Sequence, residues 1–269
     1  LASREPIVIY GDYDVDGVTA ATILFHTFRT IAPDAPVRIY IPHRLDEGYG
    51  LNSSAVTQLA AEGARIIVSV DCGITARDPA TAALAAGVDL IITDHHNPPA
   101  TLADLPAAYA VVHPRRPDSR YPFGDLSGAG VAYKLAWRLA TLHCRSPRVT
   151  EDFRALLVEL LGFAALGAIA DIMPLVGENR IIARFGLGQL KHSRNPGLKA
   201  LIEAAGLAGD TIDSDHVGFA LGPRLNACGR MDHARNAAEL FTTATTAHAA
   251  AIAKNLCTLN DQRRATEQR

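Results

Sequence analysis

Three aspartates stand at alternate positions in Gly11-Asp12-Tyr13-Asp14-Val15-Asp16-Gly17, and a glycine follows them. Carboxylates that close repel one another unless a cation sits among them, so the segment reads as a cation site, with a solvated turn as the plain alternative. D-x-D-x-D-G also opens a calcium-binding EF-hand loop. That loop needs Glu at its twelfth position, which here is Ile23, and an entering helix where this chain has an apolar, strand-like run. The EF-hand pattern therefore fails. Further acidic or histidine groups close other apolar runs: Asp71 in Val68-Ser69-Val70-Asp71-Cys72-Gly73, and Asp94, His95 and His96 in Ile91-Ile92-Thr93-Asp94-His95-His96. Asp171, in Ala168-Ile169-Ala170-Asp171-Ile172-Met173-Pro174, ends a long apolar segment before a proline. One such aspartate alone is usually a turn or cap residue. Together they make a mixed Asp/His donor set, rich enough for two ions bridged by one carboxylate, and oxygen donors with an imidazole suit manganese better than calcium while admitting magnesium. Two ions about 3.5–4 Å apart activate a water and stabilise the leaving oxygen of an in-line displacement at phosphorus. Phosphoryl hydrolysis is the chemistry expected.

The elements that must position these groups alternate short β-branched runs with amphipathic segments. Strands are expected at Ile7–Tyr10, Val37–Ile41, Arg65–Val70, Asp89–Thr93 and Ala108–Val112, with helices from about Val18, from about Ser54 and ending near Gly87. The fold class implied is α/β, a mainly parallel sheet with flanking helices, followed by a mostly helical part. In open sheets of this kind the ligand lies beyond the carboxyl ends of the strands, and the acidic and histidine groups above fall at three such ends. From about Gly128 the pattern turns helical, with segments at Gly128–Leu142, Glu151–Ala170, Glu178–Lys191, Leu198–Ala205 and Ala237–Phe241. The stretch from Ala247 to Arg269 puts Ile252, Leu256 and Leu259 on one helical face and then becomes polar, as a connector helix does.

Composition bounds the rest. With 269 residues, 48% of them hydrophobic, the chain buries a proper core. The apolar stretch Leu156 to Ile169 contains Glu159 and falls short of the roughly 20 apolar residues a membrane helix needs, so it is expected to be a buried helix. Four cysteines stand far apart with no CxxC pair, which argues against a zinc ribbon or disulfide scaffold and suits a reducing compartment, the cytoplasm by default. A net charge of −2 is silent on nucleic acid, since bound divalent cations reverse the local field without entering the sequence charge.

In this order, D-x-D-x-D-G, V-D-C-G, T-D-H-H and A-D-I-M-P resemble the motifs of the DHH phosphoesterase superfamily. Pro42-His43-Arg44-Leu45-Asp46-Glu47-Gly48-Tyr49-Gly50-Leu51, Ser127-Gly128-Ala129-Gly130-Val131-Ala132 and Gly222-Pro223-Arg224-Leu225-Asn226-Ala227-Cys228-Gly229-Arg230 resemble its RecJ-like, single-strand-specific exonucleases. The resemblance implies metal-dependent 5′→3′ hydrolysis of single-stranded DNA in repair and recombination, with two Mn2+ ions, or Mg2+, as cofactor. It implies Asp14, Asp16, Asp71, His95 and Asp171 as metal ligands, Asp71 bridging. His96 then faces the scissile phosphate and Asp94 orients the histidines. Tyr10 stands where many relatives carry a metal-ligating histidine, so the first metal position leans on Asp12 or water. A forked guanidinium matches phosphate oxygens, so Arg44, and Arg224, Asn226 and Arg230 in a second expected loop, are the substrate-binding candidates, against a plain reading of surface salt bridges. His113-Pro114-Arg115-Arg116-Pro117 is expected to be a solvated loop. The resemblance divides the chain into a catalytic domain over residues 1–245 (α/β core about 1–125, helical part about 126–245) and a connector helix over 246–269 leading toward a DHH-associated domain. It implies a monomer that meets single-stranded DNA and no membrane, with a single-strand-binding protein or helicase as candidate partner. The alternative enzyme is a DHH phosphoesterase of short oligonucleotides or cyclic dinucleotides.

Overall fold

The computed structural model describes residues 3–267 except Leu45 and Asp232. Leu45 of the Arg44 motif and the last two residues of the expected connector helix thus lie outside the described residues. Five parallel strands, β1 (Ile7–Gly11), β2 (Val37–Tyr40), β3 (Ile66–Val70), β4 (Asp89–Thr93) and β5 (Ala110–Val112), form one sheet in the order β2-β1-β3-β4-β5. Alternation along each strand feeds two cores. Ile7 and Ile9 of β1 and Val68 and Val70 of β3 face one layer, while Val8, Tyr10 and Ile67 face the other.

The second layer is small and is closed by α2 (Ser53–Ala61) and α3 (Arg77–Ala85), through Val56, Leu59, Ala80 and Ala83. The first is closed by α1 (Val15–Ile31), α4 (Gly128–His143) and α5 (Glu151–Ala170) and extends into α6 (Gly177–Leu190) and α7 (Pro196–Ala204). Then come α8 (Ser214–His216), a π turn (Val217–Leu221), α9 (Gly222–Met231), α10 (Arg235–Thr242) and α11 (Thr246–Glu267). By length and composition α5 is apolar enough to cross a membrane. Its Leu160, Phe163, Ala164 and Leu166 are instead fully buried among α1, α4 and α6, and Glu159 accepts hydrogen bonds from Ser193 and from the backbone of Arg194 and Asn195. It is the central core helix. The expected face of α11, Ile252, Leu256 and Leu259, is buried, and the helix lies against α7 and α9.

Two expectations are corrected. Helix α1 begins at Val15, not Val18, because the Asp14 carboxylate caps it by accepting the Gly17 N–H at 3.0 Å. Asp16 therefore belongs to the first helical turn. Arg224, Asn226 and Arg230 lie on α9, a buried helix with Leu225, Ala227 and Cys228 in the core, and not on a loop.

Candidate metal centre

Strand register sets the site. Gly11 pairs with Val70 and Val70 with Thr93, so the next residues, Asp12, Asp71 and Asp94, leave the sheet at one level. Between β1 and β3 the strand order reverses, and an α/β sheet opens its ligand crevice at such a point. Asp12, Asp16, Asp71 and Asp94 are each only 1% exposed, which for four carboxylates within one crevice demands compensation. Asp71 has φ +62°, a conformation costly for a side-chain-bearing residue and found where a site holds it. Ile172, beside Asp171 at the end of α5, has φ +57°.

Three donor groups result: Asp12, Asp14 and Asp71; Asp71, His95 and His96; Asp16, His95 and Asp171. Asp71 belongs to two of them and His95 to two. His95 Nε2 lies 3.1 Å from Asp71 Oδ1, 3.6 Å from Asp171 Oδ2 and 3.8 Å from Asp16 Oδ2. Atoms so spaced fit donors sharing an ion at about 2.1 Å each. The buried atoms Asp12 Oδ1, Asp71 Oδ1 and both ring nitrogens of His95 have no hydrogen-bond partner among the described residues. Buried carboxylate oxygens and an imidazole Nε2 left without a partner, beside further carboxylates within ligand spacing, are what divalent cations satisfy, so the residues present fit the expected metal. The charges agree. Burial, then Asp14, pushes Asp12 up to about 7; burial, then Asp14 and Asp171, pushes Asp16 up to about 7. Burial and Asp16 hold Asp71 well above the usual carboxylate range, and burial with Asp14 raises Asp171 to about 6. Burial and the neighbouring His96 lower His95 to about 4, leaving its imidazole neutral with a lone pair to give.

Other contacts aim these groups. Asp16 accepts the N–H groups of Gly128 at 2.6 Å and Ala129 at 2.9 Å, anchoring the positive end of α4 on a site carboxylate. The close approaches require glycine: a Cβ on Gly128 would lie 2.5 Å from Asp71 Oδ1, and one on Gly167 would overlap Asp16 Oδ1. Asp94 Oδ1 accepts from His96 Nδ1 at 2.8 Å and from both histidine backbone N–H groups, while Oδ2 takes the Ile74 N–H. Asp94 thus orients one imidazole, that of His96, and grips His95 only by its backbone. That hydrogen bond raises the His96 pKa against the opposing effect of burial. Tyr49 Oη lies 3.2 Å from His96 Nε2, and Arg44 stacks over Tyr13, whose ring meets Tyr49 edge-on. Tyr10 is turned away: its hydroxyl donates to Gly50 O at 2.9 Å inside the smaller core.

The substrate candidates fare differently. Arg44 and Arg230 are exposed, and both act on Tyr13 beside the site. Asn226 Oδ1 accepts the Val15 N–H at 3.1 Å, fixing the start of α1. Arg224 donates to Ala220 O at 2.8 Å and to Cys257 Sγ at 3.3 Å. The His113–Pro117 segment is only in part the solvated loop expected: Arg115 and Pro117 are exposed, but His113 and Pro114 are buried and both His113 and Arg115 bond the histidine pair. Its signal was its position directly after β5, the same strand-end placement that marked the other site residues. Gly128, Gly167 and Tyr49 were likewise unassigned; only packing shows the two glycines.

Comparison with known proteins gives a family model, DHH family, N-terminal domain, matching residues 6–167. The single-stranded-DNA-specific exonuclease RecJ of Bacillus subtilis (strain 168) is 41% identical over 263 residues, 98% of this chain and 31% of the relative. That of Escherichia coli (strain K12) is 36% identical over 265 residues, 97% of this chain and 45% of the relative. A crystal structure of exonuclease RecJ bound to manganese superposes with TM-score 0.84 at 37% identity, covering 100% of this chain and 64% of that one. The chain thus spans a third to a half of the length of these curated relatives.

Proposed function

Starting from the premise that this chain belongs to the DHH family, we propose that it is the catalytic part of a 5′→3′ exonuclease hydrolysing single-stranded DNA with two divalent ions, Mn2+ or Mg2+, in repair and recombination. The observation that carries the reaction class is the sharing of Asp71 and His95 among three donor groups, with Asp12 Oδ1, Asp71 Oδ1 and the His95 ring nitrogens left without hydrogen-bond partners among the described residues. The strand substrate and the metal are supported by the RecJ relatives and the manganese-bound neighbour. Asp12, Asp14, Asp16, Asp71, His95 and Asp171 would hold the ions, Asp71 being the carboxylate common to two of the donor groups. Bound there, two ions supply Lewis-acid activation of water and stabilisation of the oxygens of an in-line displacement. The chain's own groups do the rest. His96, its Nδ1 on Asp94, keeps a proton to a higher pH than a free imidazole and presents Nε2 to a phosphate or leaving oxygen. Exposed Arg44 and Arg230 bind strand phosphates, whereas Arg224 and Asn226 serve by holding α9 and α1.

Residues 1–245 form the catalytic domain and α11 leads on from it, toward a monomer that works with a single-strand-binding protein or helicase. A cytoplasmic setting is supported by the absence of any disulfide among the four described cysteines. The test is digestion with manganese of 5′- and 3′-labelled single strands, duplexes and cyclic dinucleotides. The reading expects immediate release of label from 5′-labelled single strands and late release from 3′-labelled ones. Preference for the cyclic dinucleotide would overturn it in favour of a small-substrate phosphoesterase.

A further inference from the structure

The turn after β4 carries both imidazoles, so its peptide groups decide where those rings point. The turn is buried at Asp94 and His95 and opens to solvent at His96, and the peptide groups on its buried side must find partners. Its donors are accounted for: Asp94 Oδ1 takes the N–H groups of His95 at 2.7 Å and His96 at 3.1 Å. Its acceptors are taken by the loop after β5. Arg115 Nη2 donates to His95 O at 2.7 Å, and His113 Nε2 lies 2.8 Å from His96 O. The peptide joining His95 to His96 is therefore held at both ends, its oxygen by a guanidinium and its N–H by a carboxylate. Rotating that peptide would swing both rings, and two charge-assisted hydrogen bonds oppose the rotation.

The loop is built for this contact. The Arg115 N–H donates to His113 Nδ1 at 3.0 Å, so Nδ1 carries no proton and Nε2 must bear it, the one neutral tautomer that donates to His96 O. Burial keeps the imidazole neutral. The Arg115 stem lies against Gly124, where a Cβ would come within 2.9 Å of Cγ, and Arg116 ties the loop back by donating to Val111 O at 3.2 Å and to Asp118.

We propose that His113 and Arg115 are positioning residues, a clamp on the carbonyl oxygens of His95 and His96 that sets where the metal-binding and phosphate-facing imidazoles point. The inference rests on the two roles given to those histidines above. Neither clamp residue touches substrate in this assignment.

The experiment uses the full chain with His113→Ala, His113→Asn, Arg115→Met and Arg115→Lys, reading kcat and KM on a single-stranded oligonucleotide, Mn2+ affinity by calorimetry, and melting temperature. Outer hydrogen-bond partners of metal ligands are typically worth roughly 10–100-fold. His113→Ala and Arg115→Met are expected to lower kcat by that factor and to weaken Mn2+ binding, with KM moving by less than about threefold. His113→Asn and Arg115→Lys, which keep a donor, recover most of the loss. Activity and Mn2+ affinity within about twofold of wild type in the Ala and Met variants would overturn the clamp, as would conservative variants no better than these. A raised KM with kcat intact would overturn it by making Arg115 a DNA contact. Should the wild type leave single strands uncut, the proposed function falls, and the Mn2+ affinities alone still decide the clamp: a loss restored by the donor-keeping variants upholds it, and unchanged affinities overturn it.

Discussion

Asp71 concentrates the cost and the use of the site in one residue: it is buried, left-handed at φ +62°, held well above the usual carboxylate range, and shared by two donor groups. Asp71→Ala should abolish hydrolysis, by a factor of roughly 100 or more, without lowering the melting temperature of the metal-free chain, since the repulsion it suffers goes with it. Turnover and melting in one buffer check both halves. Asp12 gives the matching dependence on pH. Burial and the Asp14 charge push its carboxyl up to about 7 in the folded metal-free chain from an ordinary value of 3.8, so the native state holds the extra proton between those values. Stability is then fully present below about pH 4 and is lost as pH rises toward 7. Metal-free wild type and Asp12→Asn should melt alike near pH 4 and separate as pH rises, the variant becoming the more stable; saturating Mn2+ should reverse the order. Parallel melting curves at every pH would refute the assignment. These aspartates were legible in the sequence because charged groups closing apolar runs are unusual. The clamp was not, because an arginine and a histidine in a Pro-rich stretch look alike whether they meet water or a carbonyl.

At the scale of elements, short β-branched runs between amphipathic segments located all five strands, and the apolar density of Glu151–Ala170 gave α5 its residues as expected. Helix α9 escaped notice for a physical reason. Gly222, Pro223 and Gly229 in ten residues depress helix propensity, and the segment is helical because Leu225, Ala227 and Cys228 are buried and a π turn feeds it from α8. The packing of α5 against the start of α4 sets how tightly the carboxylates are held. A Cβ at Gly167 would stand 2.6 Å from that of Ala129 and overlap the Asp16 carboxylate. Gly167→Ala should therefore cost about 1–3 kcal/mol by overpacking and weaken Mn2+ binding by roughly tenfold or more through Asp16. Gly188→Ala on α6, where a Cβ meets nothing within 4 Å, is the control; it should stabilise by up to about 1 kcal/mol through helix propensity. Melting and calorimetry on the pair separate crowding from a general intolerance of helix glycines.

For the whole molecule, a net charge of −2 means that strand affinity depends on where a few cations sit. Each phosphate contact on a single strand contributes about −0.7 to the slope of log affinity against log salt. Arg44→Ala and Arg230→Ala should each make that slope shallower by about 0.7, whereas Arg224→Ala, which breaks bonds to Ala220 and Cys257, should leave it unchanged while lowering stability. Equal slope changes for all three would return Arg224 to the strand. The site is also assembled across great distances along the chain. Asp16 meets Gly128 over 112 positions, and Val15 meets Asn226 over 211. Contacts of such separation form only after most of the chain has been brought together, which makes folding slow and places them late. The divalent centre is therefore expected to be completed late in folding and to open early in unfolding. Manganese should leave the refolding rate almost untouched and act chiefly by slowing unfolding, as interactions absent from the transition state do.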